Sequence, residues 1–312
     1  MNYINPMLAR SADPFSDPDW IFEIKWDGTR AICYIDETVH FINRRHADIT
    51  HRYPEFSSIS HIVQADSCIL DGEIVVLRGG IPSFRDLQKR DHSEDPFKIS
   101  LLSHSLPAQY VIFDILRLNG EDMMREHLLT RKKTLRSILT PTSQIMLSPY
   151  VEEKGESYFT ATVQAGFEGI MAKKKGSVYE PGVRSDSWLK IKKTHTLDCV
   201  IGGFTEGEGV REETFGALLL GVNYPLEYIG RVGTGFTQAD LEHLSTVLTP
   251  LERKQSPFTT RVNVKKVHYV DPVYVCEVKY VELTHDNRLR APVFLRLRSD
   301  KNPEECTLDF RE

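Results

Sequence analysis

A lysine, an aspartate and an arginine surround a single glycine in the run Lys25-Trp26-Asp27-Gly28-Thr29-Arg30. The run follows an apolar stretch that predicts a strand, and alternate side chains of a strand face opposite sides. Glu23, Lys25 and Asp27 would therefore share one face. The strand would end at Gly28, where the backbone can turn or approach a ligand closely. A lysine fixed beside a polar cluster is a candidate covalent nucleophile, whereas the alternative is a charged strand end at the surface.

A nucleophilic lysine must lie where its charged form is disfavoured, because a free lysine has a pKa of about 10.4. Burial and neighbouring cations both have that effect. Lys190 and Lys192 are two residues apart on a predicted strand, so they face the same way and would supply positive charge. They would also neutralise a phosphate under attack. An amphipathic edge strand is the alternative interpretation of this pair.

Glu73 and Glu168 are the candidate metal ligands, because carboxylate oxygens suit Mg²⁺ or Mn²⁺, which bridge phosphates. Asp71 is a second candidate, although the pair Asp71-Gly72 is also typical of a strand bend. Asp114 would either serve the metal or orient its neighbours. The sequence contains no G-x-x-x-x-G-K-S/T loop, which argues against nucleotide binding of the P-loop type.

Strand and helix patterns alternate up to about residue 193. The predicted strands are residues 20–25, 31–35, 69–77, 110–116 and 169–173, and the predicted helices are residues 130–139 and 156–165. Thr130 would cap the first helix, with Leu135 and Leu139 on one face, and Gly166 would end the second. These elements would hold the candidate residues listed above in one domain.

From Thr196 the pattern changes to short strands with glycine turns, which places a domain boundary at residues 193–196. The predicted strands are residues 199–203, 217–222, 228–232 and 273–280. One helix interrupts them, and Thr237 would cap it with Asp240 three residues on. A small β-rich unit with a single helix fits an oligonucleotide-binding (OB) barrel.

Composition is that of an ordinary globular protein. The 312 residues, 40% apolar and 27% charged, suit two domains. No run of about eighteen apolar residues predicts a membrane span, and the first residues lack the pattern of a secretory signal. The five scattered cysteines include no C-x-x-C pair, which indicates reduced thiols in the cytoplasm, mostly in the core, and argues against a zinc site.

The net charge of -5 gives little support to a nucleic-acid partner, because phosphate binding usually needs a basic face. Local clusters would have to supply that face, although each is also typical of a solvated surface: Arg131-Lys132-Lys133, Lys173-Lys174-Lys175, Lys190 to Lys193 and Lys265-Lys266. Any affinity for DNA would be modest and would be helped by a partner.

The run at residues 25–30 resembles the first motif of the covalent nucleotidyltransferases, which comprise ATP-dependent DNA ligases, RNA ligases and mRNA capping enzymes. Later segments resemble the other motifs of that family, in its order: Asn43-Arg44-Arg45, Leu70-Asp71-Gly72-Glu73, Val111-Ile112-Phe113-Asp114-Ile115-Leu116, Glu168-Gly169-Ile170-Met171-Ala172-Lys173, Trp188-Leu189-Lys190-Ile191-Lys192, and Arg290-Ala291-Pro292-Val293-Phe294 with Arg298-Ser299-Asp300-Lys301. Asn43 departs from the pattern, since family members often carry Ser there, and this puts one phosphate or ribose contact in doubt. Chance is a poor explanation of such collinearity.

Within the superfamily, the chain resembles the ATP-dependent ligase module of prokaryotic non-homologous end joining. The resemblance rests on Pro6-Met7-Leu8-Ala9, residues 22–30, Tyr179-Glu180-Pro181-Gly182-Val183-Arg184-Ser185 and Gly230-Arg231-Val232-Gly233-Thr234-Gly235-Phe236. It implies an α+β fold, with an ATP-grasp-like nucleotidyltransferase (adenylation) domain of antiparallel sheets at residues 1–194 and a β-barrel OB domain at residues 195–312. The extra helical DNA-binding domain of larger ligases would be missing.

The resemblance also implies cofactors and partners. ATP and Mg²⁺ or Mn²⁺ would be the cofactors, and nicked or broken double-stranded DNA would be the substrate. The protein would act as a monomer in the cytoplasm, at the nucleoid. A Ku-type end-binding protein and separate polymerase and end-processing proteins would be its partners.

Three steps follow from the resemblance. Lys25 attacks the α-phosphate of ATP and releases pyrophosphate, AMP passes to the 5′-phosphate at a nick, and the 3′-hydroxyl displaces AMP. Lys190 and Lys192 would assist the attack, and Glu73 and Glu168 would hold the metal. The remaining residues implied to bind the nucleotide are Glu23, Ile24, Arg30, Arg44, Phe113, Lys173, Arg184, Arg298, Asp300 and Lys301.

Several of these assignments keep more precise roles or alternatives. Phe113 would stack on the purine, although core packing also explains its buried run. Arg30 and Arg44 would hold ribose or the nick phosphate, because the guanidinium fork suits phosphate oxygens. Arg298 and Lys301 would be brought to the site by domain closure and would act while the enzyme is charged with AMP.

Two other functions remain open at this point. An RNA ligase or capping enzyme shares the early motifs, and sealing of RNA against DNA nicks, with ATP against GTP, separates it from a DNA ligase. A non-catalytic module that tethers DNA ends is the second alternative. Retention of chemical type at every catalytic motif position except Asn43 argues against that module.

Overall fold

The computed structural model describes residues 3–309. The chain divides into two compact units, one ending at Lys192 and the other beginning at Lys193. Each unit has its own hydrophobic core. Within residues 3–309, no helix is long and apolar enough to cross a membrane.

The first unit contains more strand than helix. Its strands are β1 (Leu8–Ser11), β2 (Asp17–Ile24), β3 (Thr29–Ile35), β4 (Val39–Asn43), β5 (Cys68–Arg78), β6 (Ile81–Pro82), β7 (Ala108–Leu118), β8 (Glu121–Asp122), β9 (Ile145–Leu147), β10 (Tyr150–Glu153), β11 (Gly169–Lys174) and β12 (Arg184–Lys192). The helices are α1 (Ile59–Ile62), α2 (Phe84–Asp91), α3 (Pro96–Ser105), α4 (Leu128–Ile138) and α5 (Gly155–Gln164). The elements confirm the predicted α+β class.

Two sheets form the frame of this unit. The first has the strand order β1-β12-β11-β2-β10, and the second has the order β4-β3-β5-β7-β8, with β6 beside β5 and β9 beside β7. The pairs are antiparallel, as predicted, except for β1 with β12 and β7 with β9, which are parallel. The main core packs on the second sheet. A smaller cluster, which includes Met7, Phe113 and Trp188, joins the two sheets.

The second unit is a small barrel with one α-helix among residues 193–309. Its strands are β13 (His195–Glu206), β14 (Phe215–Val222), β15 (Glu227–Val232), β16 (Glu252–Arg253), β17 (Val267–Val270), β18 (Val275–Tyr280) and β19 (Val293–Leu297), and its helix is α6 (Gln238–Leu248). β13 pairs with β14 along one edge and with both β17 and β18 along the other. The Phe294 N–H donates to the Thr234 carbonyl at 2.9 Å, which links β19 to the end of β15. This closure gives the predicted OB architecture.

The helix termini test the capping predictions. Thr237 and Asp240 form the predicted capping box of α6. Helix α5 ends beside Gly166, whose positive φ of 94° favours glycine, as predicted. The predicted cap at Thr130 is wrong, because α4 begins at Leu128 with His127 as N-cap. Leu128 continues the apolar face of this helix and is fully buried, which explains the earlier start.

The first predicted strand begins and ends earlier than expected. β2 ends at Ile24, so Lys25 lies just beyond the strand and not within it. The Lys25 N–H still donates to the Gly169 carbonyl, at 2.9 Å. Gly28 makes a close approach to β5, because a Cβ there would lie 2.1 Å from the Ile74 carbonyl oxygen. The five cysteines are free and buried, as predicted.

Candidate active site

One cavity of about 300 Å³ in the first unit gathers most of the predicted site residues. Those that line it are Glu23, Ile24, Lys25, Arg30, Arg44, Glu73, Phe113, Lys173, Arg184 and Lys190. The structure adds lining residues to which the sequence gave no role: Pro6, Leu8, Ala9, Trp26, Met171 and Trp188. Residues from both sheets therefore meet in this cavity.

Lys25 has a carboxylate partner in Glu168. Its Nζ contacts one oxygen of Glu168, and the other oxygen contacts Nζ of Lys192. Burial works to raise the pKa of Glu168, but Lys25 and Lys192 outweigh it and hold that pKa below its usual value. Glu168 was predicted as a metal ligand; both its oxygens bind lysines, and it does not line the cavity. Metal binding by Glu168 would therefore require these contacts to change.

Lys190 faces the cavity from β12. It lies opposite Met171 on β11, while Lys192 lies opposite Gly169, so one residue pair separates the two lysines in the sheet. Burial, followed by the charges of Lys192 and Arg184, lowers the pKa of Lys190. The strand thus places one lysine on the cavity and the other on Glu168.

Glu23 lies at the centre of a buried charge network. Its Oε2 accepts a hydrogen bond from Lys173 Nζ at 2.8 Å, and its Oε1 contacts Lys132 Nζ of α4. Burial, opposed by Glu23 and assisted by Lys132, lowers the pKa of Lys173 to about 8. Lys132 and Lys173 belong to clusters that were predicted as possible DNA contacts. That prediction is wrong for both, because each is buried against Glu23.

Two aromatic rings lie against Lys173. Its Nζ is 4.3 Å from the ring centroid of Phe113 and 4.1 Å from that of Trp188. The two rings meet edge to face, with centroids 6.1 Å apart. Both line the cavity, so an aromatic surface for a base is available there. Trp188 could have been identified from the sequence, since it is two residues before Lys190 on one strand.

Arg30 is fixed by a buried carboxylate. Its Nε and Nη2 donate to the two oxygens of Asp71 at 2.9 and 2.5 Å, and its Nη1 donates to the Met7 carbonyl at 2.9 Å. The Tyr179 hydroxyl donates to the same Asp71 at 2.6 Å. Asp71 was a second candidate for the metal, but these bonds already occupy it. Its role in this structure is to hold Arg30 against the cavity.

Asp114 has an orienting role. Arg131 Nε and Nη2 donate to its two oxygens at 2.7 and 2.9 Å, and both side chains are fully buried. The alternative of a metal ligand is therefore not supported. The prediction of a DNA contact at Arg131 is wrong for the same reason.

Glu73 is the carboxylate that fits a metal best. It lies opposite Arg30 in the β3–β5 ladder and lines the cavity. Burial raises its pKa to about 8, against the opposing effect of Arg30 and Lys25. Within the part of the chain that is described, no three His, Cys, Asp or Glu side chains converge as a metal cluster. One carboxylate still suits Mg²⁺, which commonly binds one or two carboxylates together with substrate phosphates.

Exposed cations lie at the rim. Arg44 is exposed, and Arg184, also exposed, donates from Nη1 to the Ala9 carbonyl at 2.7 Å. The Asn43 Oδ1 accepts from the N–H groups of Arg45 and Ala47 at 2.9 and 3.0 Å. Asn43 therefore shapes its own loop.

Arg298, Asp300 and Lys301 lie in the second unit. Arg298 Nε and Nη2 donate to the two oxygens of Asp300 at 2.8 and 2.9 Å. Its Nη1 donates to Asp198 at 3.0 Å, and Lys301 Nζ donates to the other oxygen of Asp198 at 2.6 Å. The hydrogen bond to Asp198 raises the pKa of Lys301, and the one from Arg298 lowers the pKa of Asp300 to about 2. Sequence reasoning missed Asp198.

Two family models match the chain. The ATP dependent DNA ligase domain matches residues 6–192, and the ATP dependent DNA ligase C terminal region matches residues 211–301. The multifunctional non-homologous end joining protein LigD of Mycolicibacterium smegmatis is 37% identical over 309 residues, covering 96% of this chain and 39% of that protein. A DNA ligase of Thermococcus fumicolans is 32% identical over 328 residues, covering 97% of this chain and 57% of that protein. The chain thus spans about two to three fifths of these curated relatives.

Solved structures show the same architecture. The crystal structure of the ligase domain from M. tuberculosis LigD is 33% identical with a TM-score of 0.56, and the match covers 98% of both chains. The mycobacterial DNA ligase D complexed with ATP and MES is 32% identical with a TM-score of 0.55, again over 98% of both chains. A Lig E DNA ligase structure reaches a TM-score of 0.58 at 18% identity, which shows a common fold alone.

Proposed function

Because the chain belongs to the ATP-dependent DNA ligases, we propose that it seals breaks in double-stranded DNA through a covalent lysyl-AMP intermediate on Lys25. One observation carries the proposal. Lys25 lines a single cavity together with the Phe113 ring, the Lys190 ammonium and the Glu73 carboxylate. These are the groups that the base, the phosphates and the metal of a nucleotide complex require.

In the first step, the neutral amine of Lys25 attacks the α-phosphorus of ATP. The N–P bond forms, the P–O bond to the β-phosphate breaks, and its electron pair leaves with pyrophosphate. Glu168 contacts Nζ of Lys25 and orients it. Because its pKa is lowered, Glu168 stays ionised, and the proton from Lys25 goes to solvent. Lys190 lines the cavity and offsets the charge of the phosphate under attack.

The later steps transfer and then displace AMP. An oxygen of the 5′-phosphate at the nick attacks the AMP phosphorus, and the N–P bond to Lys25 breaks. The 3′-hydroxyl then attacks the phosphorus of the 5′ end, its proton is lost, and AMP leaves. Arg30 and Arg44 hold ribose or the nick phosphate, with Arg30 pre-oriented by Asp71.

The residues of the C-terminal motif serve the first step. The β- and γ-phosphates of ATP are present only until pyrophosphate leaves. Arg298 and Lys301 are basic, and they orient those phosphates as the leaving group. We therefore assign Arg298, Asp300 and Lys301 to the charging of Lys25 and not to the final bond.

Glu73 supplies the carboxylate for a divalent cation, Mg²⁺ or Mn²⁺. Glu168 would join it only after its contacts with Lys25 and Lys192 change. The cation, when bound, offsets phosphate charge. Its binding to Glu73 would have to displace a proton, since the pKa of this carboxyl is about 8.

A groove of the second unit is the main candidate for contact with DNA. It has a volume of about 1270 Å³, and the cations that line it are Arg211, Arg231, Arg261, Lys265, Lys266 and Arg288. Three acidic residues, Glu206, Glu208 and Asp286, also line it. This mixed lining and the net charge of -5 predict weak and salt-sensitive binding.

We propose end joining as the setting, because the curated LigD relatives are named for it. A Ku-type end-binding protein would compensate for the weak grip on DNA ends, and the ligase would act as a monomer at the nucleoid in the cytoplasm. End-joining yield at physiological salt, with and without such a protein, tests this dependence. Equal yields would count against it.

The activity is tested on defined nicks. We expect sealing of a DNA nick with ATP and Mg²⁺ or Mn²⁺, and little sealing with GTP or at an RNA nick. Preference for the RNA nick would favour an RNA ligase, and transfer from GTP would favour a capping-type enzyme. DNA binding without any sealing would favour a non-catalytic tether.

A further inference from the structure

Asp198 joins the two basic residues that serve the first step. Each of its carboxylate oxygens accepts one hydrogen bond, Oδ1 from Arg298 Nη1 at 3.0 Å and Oδ2 from Lys301 Nζ at 2.6 Å. About 100 residues separate Asp198 from either partner in sequence. A single carboxylate therefore fixes the distance between the two cations.

The backbone around Asp198 is well anchored. Asp198 lies on β13, and its neighbour Cys199 is fully buried in the barrel core. In the sheet it lies opposite Glu277 of β18, which in turn lies opposite Arg296 of β19. The Asp198 side chain is 16% exposed, compared with 67% for Asp300. The position of Asp198 is therefore fixed by the strands of the barrel.

Its two partners differ in how firmly the backbone holds them. The Arg298 N–H donates to the Val275 carbonyl at 2.8 Å, directly after β19. Lys301 lies in a loop beyond the last strand. Asp300 binds the guanidinium of Arg298 from two residues away, so this pair can move as one piece. Asp198 links the side chains of both Arg298 and Lys301 to the barrel.

We propose that Asp198 is a positioning residue for the charging of Lys25. It holds Arg298 and Lys301 side by side, so that they engage the pyrophosphate end of ATP as a pair. The inference rests on the proposed role of these two residues in the first step. Long basic side chains lose rotamer freedom when they are fixed, and fixing them in advance removes that cost from the reaction.

Asp198 could instead act as a competitor. Its charge, together with that of Asp300, balances the charges of Arg298 and Lys301, which weakens their attraction for phosphate. Removal of the negative charge of Asp198 would then accelerate the transfer of AMP to Lys25. The two roles therefore predict opposite signs for the same substitution.

The test compares Asp198→Asn with wild type on two substrates. The first measurement is the rate at which Lys25 gains label from α-labelled ATP, at saturating and at limiting ATP. The second is the sealing of a nick that already carries 5′-AMP. We expect charging at saturating ATP to fall about 10- to 100-fold, because catalytic groups are misplaced, and sealing of the AMP-nick to stay within about twofold. Asp198→Glu should restore part of the charging rate.

Asp271→Asn is the matched control. Asp271 lies in the same unit, and its ion-pair partner is Arg253, at 3.2 Å. The same change of charge there should leave both measurements within about twofold of wild type.

Single and double variants separate this inference from the assignment on which it rests. If Lys25 gains AMP at the normal rate in Arg298→Ala and in Lys301→Ala, the assignment of the C-terminal motif to the first step is wrong. If they lose charging but Asp198→Asn does not, or charges faster, only the role of Asp198 is overturned. Loss by Asp198→Asn on both substrates overturns it as well. Adding Asp198→Asn to Lys301→Ala should slow charging less than it does in wild type, because the two residues act together.

Discussion

Glu23 in the first unit and Asp198 in the second each bind two basic side chains, but their surroundings differ. The side chains of Glu23, Lys132 and Lys173 are 2%, 6% and 2% exposed. Those of Asp198, Arg298 and Lys301 are 16%, 19% and 27% exposed. The same chemical arrangement is therefore buried in one unit and partly solvated in the other.

This difference distinguishes charges that stabilise the fold from charges that are available to bind a ligand. A buried ion pair that loses one partner leaves an uncompensated charge, and this is strongly destabilising. A partly solvated pair is screened by water, so its members can exchange a protein partner for a ligand at low cost. Glu23 and Lys173 thus form a fixed part of the cavity wall, whereas Arg298 and Lys301 remain available for phosphate.

The largest expected effect is the loss of stability in Glu23→Gln. This change leaves Lys132 and Lys173 buried without a carboxylate, so we expect the free energy of unfolding to fall by about 3–5 kcal/mol. Asp198→Asn is the matched control and should cost less than about 1 kcal/mol. Denaturant titration of both variants measures the two values. Losses of similar size would break the comparison.

A smaller effect concerns the pH dependence of stability. The pKa of Lys173 is about 8 in the folded protein, below its ordinary value of 10.5. Between these values the unfolded chain holds more protons than the folded one, so the stability contributed at this site rises with pH. Below pH 8 both states are protonated, and the cost of the buried charge is fully present.

Lys173→Met isolates this contribution. Between pH 8 and 10, wild type should gain about 1–2 kcal/mol of stability relative to the variant. Denaturant titrations of both proteins at several pH values in this range measure the difference. Parallel curves for wild type and Lys173→Met would show that the proton on this lysine is not coupled to folding.

The smallest effect is expected at the rim. Arg44 is exposed, so Arg44→Ala should change stability by no more than about 0.5 kcal/mol while it slows sealing. Arg30→Ala should cost about 3 kcal/mol or more, because it leaves Asp71 buried without its guanidinium. Thermal or denaturant unfolding, measured beside nick sealing, separates the two arginines. An equal loss of stability in both variants would contradict the conclusion that Arg44, unlike Arg30, is a solvated charge that does not stabilise the fold.

Local patterns were sufficient for much of the fold. The apolar runs around Ile74 and Ile112 and the capping pair Thr237 and Asp240 are local signals, and the structure has the two strands and the cap as predicted. Helical spacing could also have shown that Lys132 is buried, because it lies four residues after Leu128 and three before Leu135. A basic residue on an apolar face requires a buried carboxylate partner.

The sequence patterns did not predict contacts between distant parts of the chain. Tyr179 and Asp71 are 108 residues apart, and Lys173 and Glu23 are 150 apart. No periodicity of a single chain indicates such pairs. The motif order grouped Lys25, Phe113 and Lys190, which line one cavity, but it did not show that Glu168 would bind lysines or that Asp198 would bind Arg298 and Lys301. Those facts depend on packing.

The central claim is that Lys25 carries AMP. Incubation with α-labelled ATP and a divalent cation, followed by denaturing electrophoresis, measures it most directly. Wild type should gain acid-labile label, whereas Lys25→Ala should gain none and Lys133→Ala should still be labelled, because Lys133 is an exposed residue of α4 that does not line the cavity. Label on Lys25→Ala equal to that on wild type would contradict the account.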